Sequence, residues 1–80
     1  LQAQPELRVK IDGHTDSVGN KNYNRRLSLL RARSVAMYLV EQGVARNRVK
    51  YLGFGGDRPR ADNSTEQGRQ LNRRVEILAY

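Results

Sequence analysis

Three charged residues have positions that suit a binding site better than a solvated surface: Asp16, Arg31 and Arg73. On a helical wheel, Arg31 falls inside the apolar arc of the one long helix that the sequence predicts. A buried guanidinium requires an anionic partner, because an unpaired buried charge costs several kcal/mol. That partner is either an internal carboxylate, with Asp16 and Asp12 as candidates, or the carboxylate of a ligand.

Arg73 repeats this pattern at the start of a predicted strand. Strand alternation places it on the same side as Val75 and Ile77, which is the side that the helix should cover. Asp16 lies in a loop after the first predicted strand, near a helix N-terminus, where backbone N–H groups favour anions. Asp16 is therefore either a cap or ion-pair partner, or the binding residue for a ligand ammonium. A pocket with both signs of charge suits a zwitterion, with its amine on Asp16 and its carboxylate on the arginines Arg31 and Arg73.

Other kinds of site have weaker support. His14 is the single histidine and the chain has no cysteine, so a metal cluster is disfavoured. The glycines at 53–56 do not complete a G-x-G-x-x-G phosphate loop, since position 58 is Arg58 and no predicted helix follows directly. The sequence offers no Ser/His/Asp or Cys/His set and no acid–base pair for a hydrolase. We therefore predict a non-catalytic binding module without a cofactor or metal.

Hydrophobic periodicity indicates which elements position these residues. Apolar residues alternate in the first and last of three predicted strands and follow a helical period in one segment, which Asn22 would cap and Gly43 would end. The predicted elements are a strand over 7–12, a helix over 22–42, a strand over 49–54, a loop over 55–68 and a strand over 73–80. Within that loop, Ser64 and Gln67 have capping-box spacing for a helical turn.

This order predicts an α/β (α+β sandwich) domain, with a mixed sheet covered by a helix on one face. The first two strands should be parallel, because a helix joins them, and the third should be antiparallel. The apolar arc of the helix covers about 140° of the wheel. Its members are Leu27, Ser28, Ala32, Val35, Tyr38 and Leu39.

The charge allows a different function. The chain has 80 residues and a formal charge of +7, mostly from arginine, so an anionic partner such as nucleic acid is an alternative. An outward row of four cations supports it, whereas Asp12 and Glu76 on the same face weaken it. The aromatic residues form no row on which bases could stack. The row comprises Arg8, Lys10, Lys50 and Arg74.

The segment over 13–35, GHTDSVGNKNYNRRLSLLRARSV, resembles the signature of OmpA-like peptidoglycan-binding domains. That signature runs G-H-T-D, a short glycine-containing loop, then N-x-x-L-S-x-x-R-A-x-x-V. Later landmarks of the family are also present, and the resemblance extends from about Leu7 to Tyr80. These landmarks are the glycines at 53–56, Pro59, Asn63, Thr65 and GRQLNRRVE over 68–76.

The resemblance implies a β-α-β-α-β-β domain of which residues 1–80 form a β-α-β-β remainder. The first strand and most of the first helix would be missing, with Leu1–Leu7 as their remnant. It also implies a location in the periplasm, associated with the outer membrane of a Gram-negative bacterium. Membrane association would occur only through parts outside this chain, and a homo-oligomer is left open.

The resemblance further implies non-covalent binding of peptidoglycan, through the diaminopimelate residue of its stem peptide. Asp16 and Arg31 would hold the diaminopimelate amine and carboxylate. Such domains anchor an outer-membrane or envelope protein to the cell wall, without catalysis. Four residues occupy positions that resemble the supporting pocket: Thr15, Asn24, Leu27 and Arg73.

Overall fold

The computed structural model describes residues 8–80, so Leu1–Leu7 and the predicted start of the first strand lie outside the described residues. Three strands, two α-helices and a short 3-10 helix follow one another along the chain. They are β1 (Val9–Gly13), α1 (Lys21–Glu41), the 3-10 helix (Arg46–Arg48), β2 (Val49–Gly53), α2 (Glu66–Asn72) and β3 (Val75–Ala79).

The strands form one mixed sheet in the order β2-β1-β3. β1 pairs in parallel with β2, with Val9 opposite Val49. It pairs antiparallel with β3, with Val9 opposite Ala79. The predicted mixed sheet, with parallel first and second strands and an antiparallel third, is therefore confirmed. β1 is the central strand, and the loop that carries Asp16 leaves its carboxyl end.

The ends of α1 follow ordinary capping chemistry. Its N-cap is Asn20 and not the predicted Asn22, because the Asn20 side chain accepts the Tyr23 N–H at 2.9 Å from an extended backbone. The predicted stop at Gly43 is confirmed by its positive φ of 104°, which glycine adopts without a steric penalty. Among the described residues, no helix is both long enough and apolar enough to cross a membrane.

α2 is longer than the single helical turn that the sequence predicts. Thr65 caps it, with its hydroxyl accepting the Gly68 N–H at 3.0 Å, instead of the predicted Ser64. The buried Asn72 at its carboxyl end fastens it to the preceding loop. Asn72 Oδ1 accepts the N–H groups of Arg60 and Ala61, and its amide donates to Ala61 O and Asn63 Oδ1, at 2.7–2.9 Å.

The core lies between β1 and α1, where Val9 and Ile11 pack against Ala32 and Ala36. Four larger residues on its margin are only partly buried, so small side chains fill the centre of this interface. The marginal residues are Val35, Leu39, Val49 and Val75.

Two glycines allow α1 to lie unusually close to the sheet. A Cβ on Gly13 would come within 2.1 Å of the Ser28 backbone oxygen, and one on Gly53 within 2.4 Å of the Leu29 nitrogen. The buried row on the helix is consequently Asn24, Ser28, Ala32 and Ala36, which repeats every four residues. Backbone contact with the glycines therefore determines how α1 is rotated against the sheet.

Candidate functional site

Arg31 is exposed on α1, so the prediction that it lies within the buried arc is wrong. The buried row of α1 contains small residues that fit against the strand glycines. Tyr38, a member of the predicted apolar arc that contains Arg31, is 60% exposed. Within residues 8–80, the Arg31 side chain forms no hydrogen bond or ion pair, and neither Asp16 nor Asp12 is its partner. Its planar guanidinium can therefore receive a ligand carboxylate.

Asp16 is a buried carboxylate at the beginning of the loop between β1 and α1. Its Oδ1 accepts the Val18 N–H at 3.0 Å, and its Oδ2 accepts Arg73 Nη1 at 2.7 Å. Burial would raise the pKa of Asp16, but the hydrogen bonds from Arg73 and Val18 and the charge of Arg73 lower this pKa below its usual value. Asp16 is therefore ionised at neutral pH and can bind a ligand ammonium.

Arg73 lies at the C-cap of α2, two residues before β3 begins, so its predicted place within the third strand is wrong. Its side chain is 37% exposed, so it does not lie in the core. The structure nevertheless brings Arg73 and Asp16 together, as partners in an ion pair. The other terminal nitrogen of this guanidinium, Nη2, donates to Glu66 Oε1 at 2.7 Å. Both carboxylates raise the pKa of Arg73, and Glu66 has the larger effect.

Glu66 was not among the predicted site residues. It lies seven residues, or two helical turns, before Arg73, a spacing that places both on one side of a helix. The sequence predicts only a single helical turn around positions 64–67, so it does not place Glu66 and Arg73 on one helix. Hydrogen bonds from Arg73 and then Arg69 lower the pKa of Glu66, which is ionised at neutral pH.

Thr15 and Asn24 hold the loop that carries Asp16. The Thr15 hydroxyl donates to the Asp16 backbone oxygen at 2.9 Å. The Asn24 amide donates to Val18 O at 2.8 Å. Leu27 is half-buried on α1, next to the buried Ser28. Thr15 and Asn24 therefore support the loop, whereas Leu27 lies on α1, and none of the three carries a charge.

A recess of about 160 Å³ opens beside Asp16. A larger recess of about 390 Å³ lies along the exposed side of α1, near Arg33 and Glu41, away from Asp16 and Arg73. We consider the smaller one as the ligand site, because the ionised aspartate lies on its wall. Its lining consists of Asp16, Ser17, Gly19, Lys21, Asn24, Gly56 and Asp57.

The cationic row behind the nucleic-acid alternative is partly neutralised. Lys10 Nζ lies 3.4 Å from Asp12, and Arg74 forms an ion pair with Glu76. Because two of the four cations have carboxylate neighbours, this face offers a polyanion less charge than the sequence suggests.

His14 is buried and packs against other side chains. Its ring stacks on Phe54 with centroids 5.4 Å apart, and its Nε2 lies 3.9 Å from Glu76 Oε2. Within the described part of the chain, no group of three or more potential ligand residues could hold a metal ion. Burial lowers the pKa of His14 and so does the charge of Arg74, while Glu76 and Asp12 partly oppose them.

We expect this histidine to make the folded protein less stable in mild acid. In the unfolded chain, His14 takes up a proton near its ordinary pKa of 6.5, whereas in the folded protein it takes up this proton only at lower pH. The free energy of unfolding should therefore be constant above about pH 7.5 and fall as the pH decreases through 6.5, with a slope of at most about one proton. Urea titrations between pH 7.5 and 5.0 measure this slope.

The control is His14→Phe, which keeps a ring against Phe54 and removes the titrating group. This variant should show a flat stability profile over the same range. The carboxylates Asp16, Glu66 and Glu76 have lowered pKa values, so their contribution is lost only at lower pH. Equal slopes in the parent and in His14→Phe would contradict the assignment.

Comparison with known proteins identifies the family. The sequence model of the OmpA family matches residues 1–73. Outer membrane porin F of Pseudomonas fluorescens is 51% identical over 72 residues, which cover 90% of this chain and 22% of that protein. The peptidoglycan-binding protein ArfA of Mycobacterium tuberculosis is 47% identical over 78 residues, which cover 98% of this chain and 24% of that protein.

A solved structure supports the same assignment. The peptidoglycan-associated lipoprotein from Burkholderia pseudomallei has a TM-score of 0.93 and 28% identity, over 99% of this chain and 67% of that one. Its similarity confirms the predicted OmpA-like fold. The chain spans less than a quarter of porin F and about a quarter of ArfA, so it corresponds to one part of these longer proteins. With its family match, its close relatives and its fold in agreement, the chain belongs to the OmpA family.

Proposed function

We propose that this domain binds peptidoglycan non-covalently, through the diaminopimelate residue of the stem peptide. The observation that carries the proposal is Asp16, an ionised carboxylate on the wall of a recess, where an ammonium can replace bulk water. Arg31 supplies a guanidinium for the ligand carboxylate and has no ion-pair partner within residues 8–80. Asp16 and Arg31 carry the opposite charges that the amine and the carboxylate of a zwitterion require.

The supporting residues have distinct roles in this proposal. Thr15 and Asn24 keep the loop in place through their hydrogen bonds to its backbone. Arg73 orients the Asp16 carboxylate, and Leu27 offers apolar surface to the carbon chain of the ligand. All of them act by binding and positioning, and no step in this proposal breaks a covalent bond.

The proposed biological role is anchoring. A porin and a peptidoglycan-associated lipoprotein are among the proteins that this chain resembles. We place the domain in the periplasm near the outer membrane, since one of these relatives is named as an outer membrane porin. There the domain would hold an envelope protein against the cell wall, while other parts of that protein would provide any membrane attachment. The proposal is compatible with a single copy of the domain and with a homo-oligomer.

We further propose that a strand and a helix beyond those described complete the domain. Ile77 supports this proposal, because it pairs with the buried Ile11 on the helix side of the sheet and yet is 58% exposed. α1 covers β1 and β2 and reaches β3 only near Val75, so among the described residues the helix side of β3 is open at Ile77. An additional helix over β3 would bury this apolar surface.

The site assignment predicts that Arg31→Ala and Asp16→Asn each weaken binding of a diaminopimelate-containing stem tripeptide by about tenfold or more. This magnitude corresponds to one charge-assisted hydrogen bond. Isothermal titration calorimetry gives the dissociation constants, and two-dimensional NMR spectra verify that each variant is folded. Asp16→Asn is preferred to Asp16→Ala because an amide keeps the shape of the side chain.

Arg33→Ala is a matched control, since Arg33 is another exposed arginine of α1 without a partner among the described residues. It should bind as the parent does. A tripeptide with lysine in place of diaminopimelate lacks the side-chain carboxylate, so Arg31→Ala should hardly alter its weaker binding. If folded Arg31→Ala and Asp16→Asn both bind the diaminopimelate peptide like the parent, the proposed site is incorrect.

A further inference from the structure

Arg73 is shared between two carboxylates of the protein. Its Nη1 donates to Asp16 Oδ2 and its Nη2 donates to Glu66 Oε1, both at 2.7 Å. A ligand carboxylate that binds arginine in the strongest way needs two parallel N–H groups of the same fork. Each terminal nitrogen already donates one N–H to a carboxylate, so Arg73 has fewer N–H groups to offer to a ligand carboxylate while Glu66 remains in place.

Glu66 is held in position although its side chain reaches solvent. Its other oxygen, Oε2, accepts Nε and Nη2 of Arg69 at 3.2 and 3.1 Å. Arg69 Nη1 in turn donates to Asn63 O at 2.9 Å. Glu66 is also in the first turn of α2, where the helix dipole favours a carboxylate. The network therefore fixes Glu66 before any ligand arrives.

The charges around Asp16 depend on Glu66. With Glu66 present, the ion-paired side chains of Asp16, Arg73, Glu66 and Arg69 carry no net charge. Without it, the three that remain would carry one positive charge, and Nη2 of Arg73 would lose its carboxylate partner and could attract an anion. The same recess would then be more favourable to carboxylates and less favourable to ammonium groups.

We infer that Glu66 is a specificity-determining residue, which occupies Arg73 and keeps the Asp16 end of the site selective for a ligand ammonium. The inference rests on the proposed function, in which Asp16 binds the ligand amine. Arg31 is then the arginine that receives the ligand carboxylate, and Arg73 is a positioning residue. The site selects stem peptides with a free amine at this end and discriminates against an amine-free dicarboxylate of the same length.

The test compares two ligands that differ only in their amines. Diaminopimelate carries two ammonium groups, and pimelate is the same dicarboxylate chain without them. The parent should bind diaminopimelate in preference to pimelate. In Glu66→Gln, diaminopimelate should bind more weakly and pimelate more tightly, so that the ratio of their affinities falls roughly fivefold, the upper end for an exposed ion pair. NMR titration measures both affinities and verifies the fold.

Two further variants separate selectivity from a general charge effect. Glu41→Gln removes the same charge at the far end of α1, where Glu41 has no ion pair with a described residue, and should leave the ratio unchanged. Glu66→Asp keeps the carboxylate and should restore part of the ratio. An unchanged ratio in folded Glu66→Gln, or an equal decrease in Glu41→Gln, would overturn the inference. If the parent itself binds neither diaminopimelate nor its stem peptide, the proposed function fails and the inference fails with it.

Discussion

Gly13→Ala should destabilise the domain by more than about 3 kcal/mol, beyond the usual cost of adding one methyl group to a packed core. The new Cβ would lie 2.1 Å from the Ser28 backbone oxygen, far inside van der Waals contact. A backbone atom cannot rotate away, so α1 as a whole would have to shift from the sheet. Urea unfolding measures the loss, and a failure of the variant to fold is the extreme form of the same result.

Gly19→Ala is the matched control for this substitution. Gly19 lies in the neighbouring loop with a φ of 95°, and an added Cβ would meet only the Asn24 side chain, at 3.9 Å. The control should therefore lose about 1 kcal/mol, from the left-handed backbone conformation alone. Equal losses in the two variants would show that close packing of the helix on Gly13 contributes little to stability.

Asn72→Ala should reduce the free energy of unfolding by about 2–3 kcal/mol, because one substitution removes four hydrogen bonds at a site that is 0% exposed. The N–H groups of Arg60 and Ala61 would lose their acceptor. The loss should also reach the candidate site, since Asn72 fixes the end of α2 from which Arg73 extends. We therefore expect weaker stem-peptide binding in variants that remain folded.

Asn72→Asp separates the two halves of this network. A carboxylate still accepts the N–H groups of Arg60 and Ala61, but it cannot donate to Ala61 O or to Asn63 Oδ1. We expect it to be destabilised as well, because those two acceptors would face a negative charge. Stability and affinity of Asn72→Ala equal to those of the parent would contradict the anchoring role of Asn72.

The sequence predicts the sheet well because the alternation in its first and third strands is local and because a helix joins the first two strands. It predicts the extent of α1 to within about two residues, because Gly43 and the asparagines near position 20 are ordinary end signals. The sequence does not predict how α1 is rotated against the sheet. A wheel favours large apolar residues such as Leu27 and Tyr38, whereas the observed contact depends on the small Ser28 and on glycines in distant strands.

The sequence predicts which residues are candidates for the site better than it predicts the contacts between them. Asp16 is predicted from its residue type and its place in the loop, whereas Arg73 is predicted from a strand position that it does not have. Their pairing depends on where α2 ends, and the sequence predicts α2 only as a turn. Arg31 was selected for a burial that it does not have. The Arg31 side chain is exposed, so its role in binding stays a prediction, which the binding measurements on Arg31→Ala test.

If the domain anchors as proposed, the central position of β1 has a mechanical consequence. A ligand held at Asp16 would transmit tension to the carboxyl end of β1, which is paired over five residues with β2 on one side and five with β3 on the other. Tension along this strand shears both ladders at once, so many hydrogen bonds share the load instead of opening one after another. A wall attachment through this loop would therefore resist pulling better than one at the edge of the sheet.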